Sequence, residues 1–98
     1  MLVVNPALVA QHGGIPDAAE LSHWPTLSLP ASGDHYCWCL KNGKKSVEIV
    51  HTPRFIADDM FALKRAALDG VGVAQIPEET CSEELGTGKL QVVAERGI

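Results

Sequence analysis

The residues best suited to chemistry are a histidine and two cysteines that alternate along one short segment, His35, Cys37 and Cys39. Imidazole and thiolate groups are common zinc ligands. Alternate residues of a strand share a face but lie about 6–7 Å apart, so these three could reach one ion only around a sharp bend. Cys81 is distant in sequence. The spacing therefore favours buried, unreactive cysteines over a zinc site.

An acidic pair and a glycine turn also resemble functional motifs. Asp58 and Asp59 could act as an acid/base pair, since neighbouring carboxylates can split their pKa values, but they also precede a helical pattern that needs a cap. Gly70-Val71-Gly72 follows that helix and precedes an apolar strand. Phosphate-binding glycine loops have the opposite order, with the strand before the helix. We therefore expect a helix cap at the aspartates, and a C-terminal cap with tight packing at the glycines.

The other histidines and cysteines do not form a recognisable catalytic set. His12, His23 and His51 fall at the ends of separate elements, which predicts surface or boundary histidines with satisfied hydrogen bonds. A nucleophilic Cys37 or Cys81 would need a base and a third residue that orients the base. The sequence identifies no third residue, so a small enzyme is the least favoured interpretation.

Strands and helices alternate along the chain. Asn5 with Pro6, a capping box from Asp17 to Glu20, and Asp58 or Asp59 mark helix starts. The predicted helices cover 6–12, 16–24, 59–69 and 77–84, the third with an apolar face that includes Phe61, and the predicted strands cover 2–4, 26–29, 36–40, 47–50, 54–57, 71–76 and 90–93. Asn42-Gly43 predicts a hairpin turn. This order predicts an α/β sheet layered with helices.

Composition excludes several classes of protein. The chain has 98 residues, of which 46% are hydrophobic and 20% charged, as expected of one small globular domain. Its net charge of −4 disfavours direct binding to nucleic acid. No apolar run approaches the roughly 18–20 residues of a membrane span. Three cysteines without a signal peptide point to a reducing cytoplasm.

One long segment, from Ala62 to Pro77, runs from a helix through Gly-Val-Gly to an apolar strand and a proline. It resembles the signature stretch of the effector-binding domain of LysR-type transcriptional regulators. Leu2–Gly13, Pro16–Trp24 and Glu84–Leu90 resemble three other parts of that domain, in the same order. Together the four segments extend over nearly the whole chain.

The resemblance implies an α/β, three-layer Rossmann-like lobe of the periplasmic-binding-protein type (type 2). Residues 1–98 would form the second of two lobes, without the family's helix-turn-helix or first lobe. The implied function is that of a non-enzymatic, cytoplasmic sensor half without a cofactor or a membrane contact. It would bind a small-molecule effector between the lobes and control DNA-dependent transcription by the full-length protein. That parent would be a homodimer or tetramer that contacts promoter DNA through the absent N-terminal domain.

The resemblance also implies where this lobe touches the effector. Two segments match the family's ligand-contacting positions, each at the expected carboxyl end of a strand, and they comprise Leu29, Pro30, Ala31 and Ser32, and Phe55, Ile56, Ala57 and Asp58. Some relatives have a hydroxyl residue at the position of Ile56, so an apolar residue there favours a less polar effector. An isolated lobe would expose its pairing surface and its cleft face, so we expect weak self-association, with strand-edge pairing as one route.

A different class of protein shares this architecture. One lobe of a periplasmic-type solute-binding protein of a transporter would show the same alternation of strands and helices. The missing signal peptide and the unpaired cysteines count against this alternative.

Overall fold

The strands and helices follow the predicted order. A computed structural model describes residues 1–14, 20–30, 36–42 and 45–93, without the side chains of 39–42, 45 and 47. The strands are β1 (Leu2–Val4), β2 (Leu27–Ser28), β3 (Tyr36–Asn42), β4 (Lys45–His51), β5 (Phe55–Ile56), β6 (Ala74–Gln75) and β7 (Gln91–Val92). The helices are α1 (Pro6–Gln11), α2 (Met60–Leu68) and α3 (Glu78–Gly86), and a 3-10 helix covers Glu20–His23.

Strand β1 is the centre of a three-stranded sheet. It pairs antiparallel with β6 on one side and with β7 on the other. Its residues Leu2, Val3 and Val4 are all fully buried. Because successive side chains of a strand point to opposite faces, Leu2 and Val4 enter one hydrophobic cluster and Val3 enters the other.

Strands β2 and β5 form a parallel pair that is joined to this sheet through β6. The amide of Leu27 donates to the carbonyl of Val73 at 2.8 Å, and the amide of Val73 donates to the carbonyl of Pro25 at 2.9 Å. Gly72 lies at this junction, where a Cβ atom would be 2.7 Å from the Pro25 carbonyl oxygen. The predicted tight packing at this glycine is therefore confirmed.

Strands β3 and β4 form a separate antiparallel hairpin. Its Trp38 and Ile49 side chains are each 4% exposed and belong to the hydrophobic cluster that also contains Leu21 and Trp24. The hairpin packs against the 3-10 helix through β4. Asn42 pairs with Lys45, so part of the turn predicted at Asn42-Gly43 lies outside the described residues.

Two hydrophobic clusters cover the two faces of the sheet. One joins β1 to α1, the 3-10 helix and the hairpin, and the other joins β1 to α2 and α3. The result is the predicted three-layer α/β lobe. No helix among the described residues is long and apolar enough to cross a membrane.

The structure decides one local prediction between its two alternatives, corrects a second, and leaves part of a third outside the described residues. Asp59, and not Asp58, caps α2, with its Oδ1 accepting from the amide of Ala62 at 2.8 Å. Phe61 was expected on the apolar face of this helix, but its side chain is 75% exposed because the faces of α2 that carry Leu63, Ala66 and Ala67 are the buried ones. The start of the predicted second helix, residues 16–19, lies outside the described residues.

Candidate functional site

The two predicted effector-binding segments leave the sheet side by side. Leu27 pairs with Phe55 and Ser28 with Ile56 in the parallel β2–β5 pair. The amide of Ala57 then donates to the carbonyl of Ser28 at 2.9 Å, which extends the pairing to the strand ends. Both segments therefore leave the parallel strand pair at its carboxyl edge, where ligands of open α/β folds usually bind.

The predicted residues differ in exposure at this edge. Phe55 and Ile56 are 46% and 44% exposed, and Pro30 and Asp58 are exposed as well. Leu29 is partly buried. Ala57 is 1% exposed, so it packs in the core and offers no surface to a ligand. Ala31 and Ser32 lie outside the described residues.

A cavity of about 450 Å³ opens at the same edge. This volume is within the range that small-molecule sites occupy. The walls come from the ends of β2 and β6, from β3, from the first turns of α2 and from the residue before β1, and they comprise Met1, Leu27, Ser28, Leu29, Cys37, Trp38, Met60, Leu63, Gln75, Ile76 and Pro77. Of the six predicted residues that the structure describes, Leu29 is the one that lines this cavity.

The strand directions explain why these walls converge. Strand β6 runs parallel to β2 at the Thr26–Val73 bridge, so both strands end at this edge. Strand β1 is antiparallel to β6, so its first residues lie beside the last residues of β6. Accordingly, the amide of Ile76 donates to the carbonyl of Met1 at 2.9 Å.

The chain matches the family model of the LysR substrate binding domain over residues 1–97. It belongs to this family. No curated protein matches the chain. The membership in the LysR family that the sequence predicted is thus confirmed over almost the full length of this chain.

Solved structures of LysR-type regulators share the fold. The regulatory domain of AphB from Vibrio vulnificus is 26% identical, with a TM-score of 0.84 over 98% of this chain and 47% of that chain. The regulatory domain of CrgA from Neisseria meningitidis, a LysR-type transcriptional regulator, is 21% identical, with a TM-score of 0.80 over 99% of this chain and 48% of that chain. The chain therefore spans about half the length of these regulatory domains.

The cavity of this LysR lobe is lined by polar and apolar surface in about equal parts. Apart from the amino group of Met1, none of the described lining residues carries a charge. The hydroxyl of Ser28 donates to the carbonyl of Leu29 at 2.7 Å, whereas Gln75 and Cys37 are exposed. The Ser28 hydroxyl and the Gln75 amide can orient a ligand by hydrogen bonds, but neither is a counter-ion for a carboxylate.

Other concave surfaces of similar size lie elsewhere on the LysR lobe. One of about 500 Å³ lies between α3 and β7, and a smaller one of about 290 Å³ lies between Phe55 and α2. Volume alone therefore does not distinguish the cavity at the strand ends. What distinguishes it is the convergence of the parallel strands β2 and β6 with the first residue of a capped helix, Met60.

Sequence reasoning missed most of the cavity wall. Gln75 and Pro77 could have been found, because they end a predicted strand and the carboxyl-edge rule applies to that strand as well. Met60 directly follows a predicted helix cap. Cys37 and Trp38 had no such signal, since their place at the cavity depends on where the hairpin docks.

The cysteines and histidines also differ from expectation. Cys81 is buried as predicted, and burial raises the pKa of its thiol. Cys37 was expected to be buried but is exposed, because it lies on the face of the hairpin opposite Trp38. Within the described part of the chain, no group of three histidine, cysteine or acidic residues could hold a metal ion. His35 and the side chain of Cys39 lie outside that part.

His51 contradicts the prediction of a satisfied boundary histidine. It is 5% exposed, and its Nδ1 is 2.7 Å from the hydroxyl oxygen of Thr26. Its Nε2 is buried and has no hydrogen-bond partner among the described residues. The prediction was wrong because the strand end on which His51 lies is covered by the ring of Trp38, at a centroid distance of 4.0 Å.

Proposed function

We propose that this LysR lobe is the effector-sensing half of a transcription regulator and that the cavity at the strand ends is its part of the effector site. The observation that carries the proposal is the convergence of β2, β6 and the start of α2 on one concave surface whose described lining has no charged side chain. In the complete protein, a small molecule would bind there against a second lobe. Binding would control DNA-dependent transcription, with promoter DNA held by a separate domain.

The proposed mechanism is a shift between arrangements of the two lobes. An effector switches the regulator only if it binds one arrangement more tightly than the other. A difference of roughly 1–3 kcal/mol is typical of such coupling. The complete protein would be a cytoplasmic homodimer or tetramer without enzymatic activity.

The lining residues indicate the chemistry of the effector. Polar and apolar groups line the described wall in about equal parts, no charged side chain is among them, and the amide of Gln75 is exposed to a ligand. This lobe therefore suits the less polar part of an effector. Any strongly charged part of the molecule would be held by the other lobe.

The exposed segment ends fit the same proposal. Phe55, Ile56 and Asp58 lie beside this edge but do not line the cavity. They would contact the effector only when a second lobe closes over the edge. Pro30 is exposed at the end of β2 and would act in the same way.

Chemical-shift mapping on the intact two-lobe domain tests this assignment. Candidate probes are neutral aromatic amides and small carboxylates, titrated one at a time. We expect amide shifts at Leu29, Trp38, Met60 and Gln75. Shifts confined to other surfaces would contradict the site.

A pair of matched glutamine variants sharpens the test. Gln75 pairs with Leu2 on one side of β1, and Gln91 pairs with Val4 on the other, but only Gln75 lines the cavity. Loss of one hydrogen bond of roughly 0.5–1.5 kcal/mol should make Gln75→Ala bind a responding probe about 2–12-fold more weakly. Gln91→Ala should bind like the wild type. Equal effects of the two variants would refute a role for Gln75.

A lobe of a solute-binding protein is not favoured. The family that the chain matches and the solved structures that resemble it are parts of transcription regulators. No described residue set combines a nucleophile with a base and an orienting group, so an enzymatic function has no structural support.

A further inference from the structure

His51 is buried, one of its ring nitrogens has no hydrogen-bond partner among the described residues, and its ring contacts the cavity wall. Its ring lies 4.0 Å from that of Trp38, with an angle of 31° between the planes. Trp38 is 4% exposed and forms part of the cavity lining. The hydroxyl of Thr26, which bonds Nδ1 of His51, belongs to the residue that precedes cavity-lining Leu27. His51 therefore supports the hairpin wall of the cavity from behind.

We propose that neutral His51 is a positioning residue that holds Trp38 in the cavity wall, and that protonation of His51 releases this wall. The significance for effector binding rests on the proposed function, because it requires that the cavity is the effector site. The structural part of the proposal concerns only His51, Trp38 and Thr26.

The hydrogen bonds of His51 suit the neutral ring. The hydroxyl of Thr26 either donates to Nδ1 or accepts from it, and in the second case it can donate to the carbonyl of Thr52, 3.4 Å away. In both cases Nε2 is left without a partner. A proton added to the ring would therefore leave a buried cation whose Nε2–H has no acceptor, which costs more than an unmatched neutral nitrogen.

Among the described residues, the side chains in contact with His51 are uncharged. Tyr36 faces it from β3, with a ring centroid distance of 6.3 Å, and Thr26 faces it from β2. The other titratable or charged side chains described on the hairpin, or on or next to the elements that contact it, are exposed, and they are Glu20, His23, Cys37, Glu48 and Arg54. Burial is accordingly the cause that lowers the pKa of His51.

The lowered pKa fixes the direction of the pH dependence. An unfolded or undocked His51 takes up a proton near its ordinary value of about 6.5, whereas the docked residue does so only at lower pH. The docked hairpin is therefore fully favoured above about pH 6.5 and loses stability as the pH falls below that value. By linkage, a ligand that requires Trp38 in place should bind more weakly in this acidic range.

Acrylamide quenching of a single tryptophan tests the proposal in the full chain. Trp24→Phe leaves Trp38 as the only fluorescent indole, which matters because Trp24 also stacks on a histidine, His12, at 4.3 Å. Acrylamide is neutral, so its access reports exposure and not charge. As the pH falls from about 8 to 5, we expect the quenching constant of Trp38 to rise about twofold or more, with a midpoint below about 6.5.

Two histidine variants identify the titrating group. In the Trp24→Phe background, His51→Gln should make the quenching constant independent of pH over this range, whereas His12→Gln should retain the rise. A quenching constant of Trp38 that stays flat with His51 present would overturn the proposal. A rise that persists in His51→Gln would overturn it as well.

A second measurement covers the case in which Trp24→Phe does not fold. In the unsubstituted full chain, the ring proton on Cε1 of His51 and the indole N–H of Trp38 should titrate with one common midpoint in NMR spectra. Separate midpoints would refute the coupling. Neither measurement needs an effector, so the proposal on His51 and the proposed function can fail independently.

Discussion

The contact between Gly72 and the segment before β2 predicts a large effect for a very small substitution. A Cβ atom at Gly72 would lie 2.7 Å from the carbonyl oxygen and 2.9 Å from the carbonyl carbon of Pro25. Both are backbone atoms, so no side chain can rotate away. To reach 3.4 Å, where ordinary van der Waals contact begins, the two segments must separate by about 0.7 Å.

This separation would also break backbone hydrogen bonds. The bond from the Val73 amide to the Pro25 carbonyl, now 2.9 Å, would lengthen beyond 3.5 Å, and the bond from Leu27 to Val73 would be strained. Overpacking costs roughly 1–3 kcal/mol, and a lost hydrogen bond adds roughly 1 kcal/mol. We therefore expect Gly72→Ala to lower the free energy of unfolding by about 2–4 kcal/mol, a large part of the roughly 5–15 kcal/mol typical of a domain.

Urea denaturation followed by circular dichroism measures this change, and Gly86→Ala is the matched control. Gly86 ends α3, has no positive φ, and a Cβ atom there would meet nothing within 4 Å. Alanine is the better helix former, so Gly86→Ala should be neutral or stabilising by up to about 1 kcal/mol. A Gly72→Ala variant within about 0.5 kcal/mol of the wild type would refute the assigned packing.

Three further predictions concern α2 and α3. Asp59→Ala removes the cap of α2 and should cost about 1 kcal/mol of unfolding free energy in urea titrations, whereas Asp58→Ala should change it by less than about 0.5 kcal/mol. The pKa of Glu84 is lowered by a hydrogen bond from its own amide and by Lys64, 3.3 Å away. The ionised Glu84 carboxylate therefore stabilises the folded chain above about pH 4.3, and this contribution is lost as the pH falls. Glu84→Gln should therefore flatten the decline in stability in acid, and an unchanged slope would contradict this role. Sedimentation over a concentration series should show weak self-association of the isolated chain. Because the side chain of Phe61 is apolar and 75% exposed, Phe61→Ser should weaken this association about tenfold. A strict monomer at all concentrations would refute the expectation.

Sequence patterns predicted the parts of the fold that depend on local chemistry. Asn5 caps α1 through its Oδ1, which accepts from the amide of Ala7 at 2.8 Å, and Pro6 occupies the first turn. Gly70 follows α2 with a φ of +78°. These positions were predictable because backbone conformation and a nearby amide determine the residue type.

The exposure of individual apolar residues was less predictable, because it depends on which neighbours cover each face. Phe61 fits the apolar pattern of α2 but points away from the sheet. Val50 lies in an apolar strand, yet it is 55% exposed because the hairpin buries only the face that carries Trp38 and Ile49. Periodicity identifies an apolar face, but it does not say whether another element packs on it.

The proposed effector site was likewise predictable in its backbone but not in its side chains. The strand ends at Leu29 and Ala57 were predictable from the carboxyl-edge rule, and both do lie at that edge. The rule predicts where the backbone of a strand end lies, but it does not predict which side chains are exposed there. It could not indicate that Ala57 is buried or that the hairpin brings Trp38 to the cavity.

The docking of the hairpin also determines which wall of the cavity can respond to a ligand. Strands β2 and β6 and the start of α2 are tied together by the backbone bonds at Val73 and by the packing of Leu63 and Ile76. The described part of the hairpin pairs only with itself, and side chains such as Trp38 and His51 dock it on the lobe. A ligand shifts an equilibrium only where two arrangements differ in affinity for it. In the described part of the chain the hairpin is held by side-chain packing and not by strand pairing with the lobe, so we expect ligand selectivity at the proposed site to depend on Trp38 more than on the strand ends.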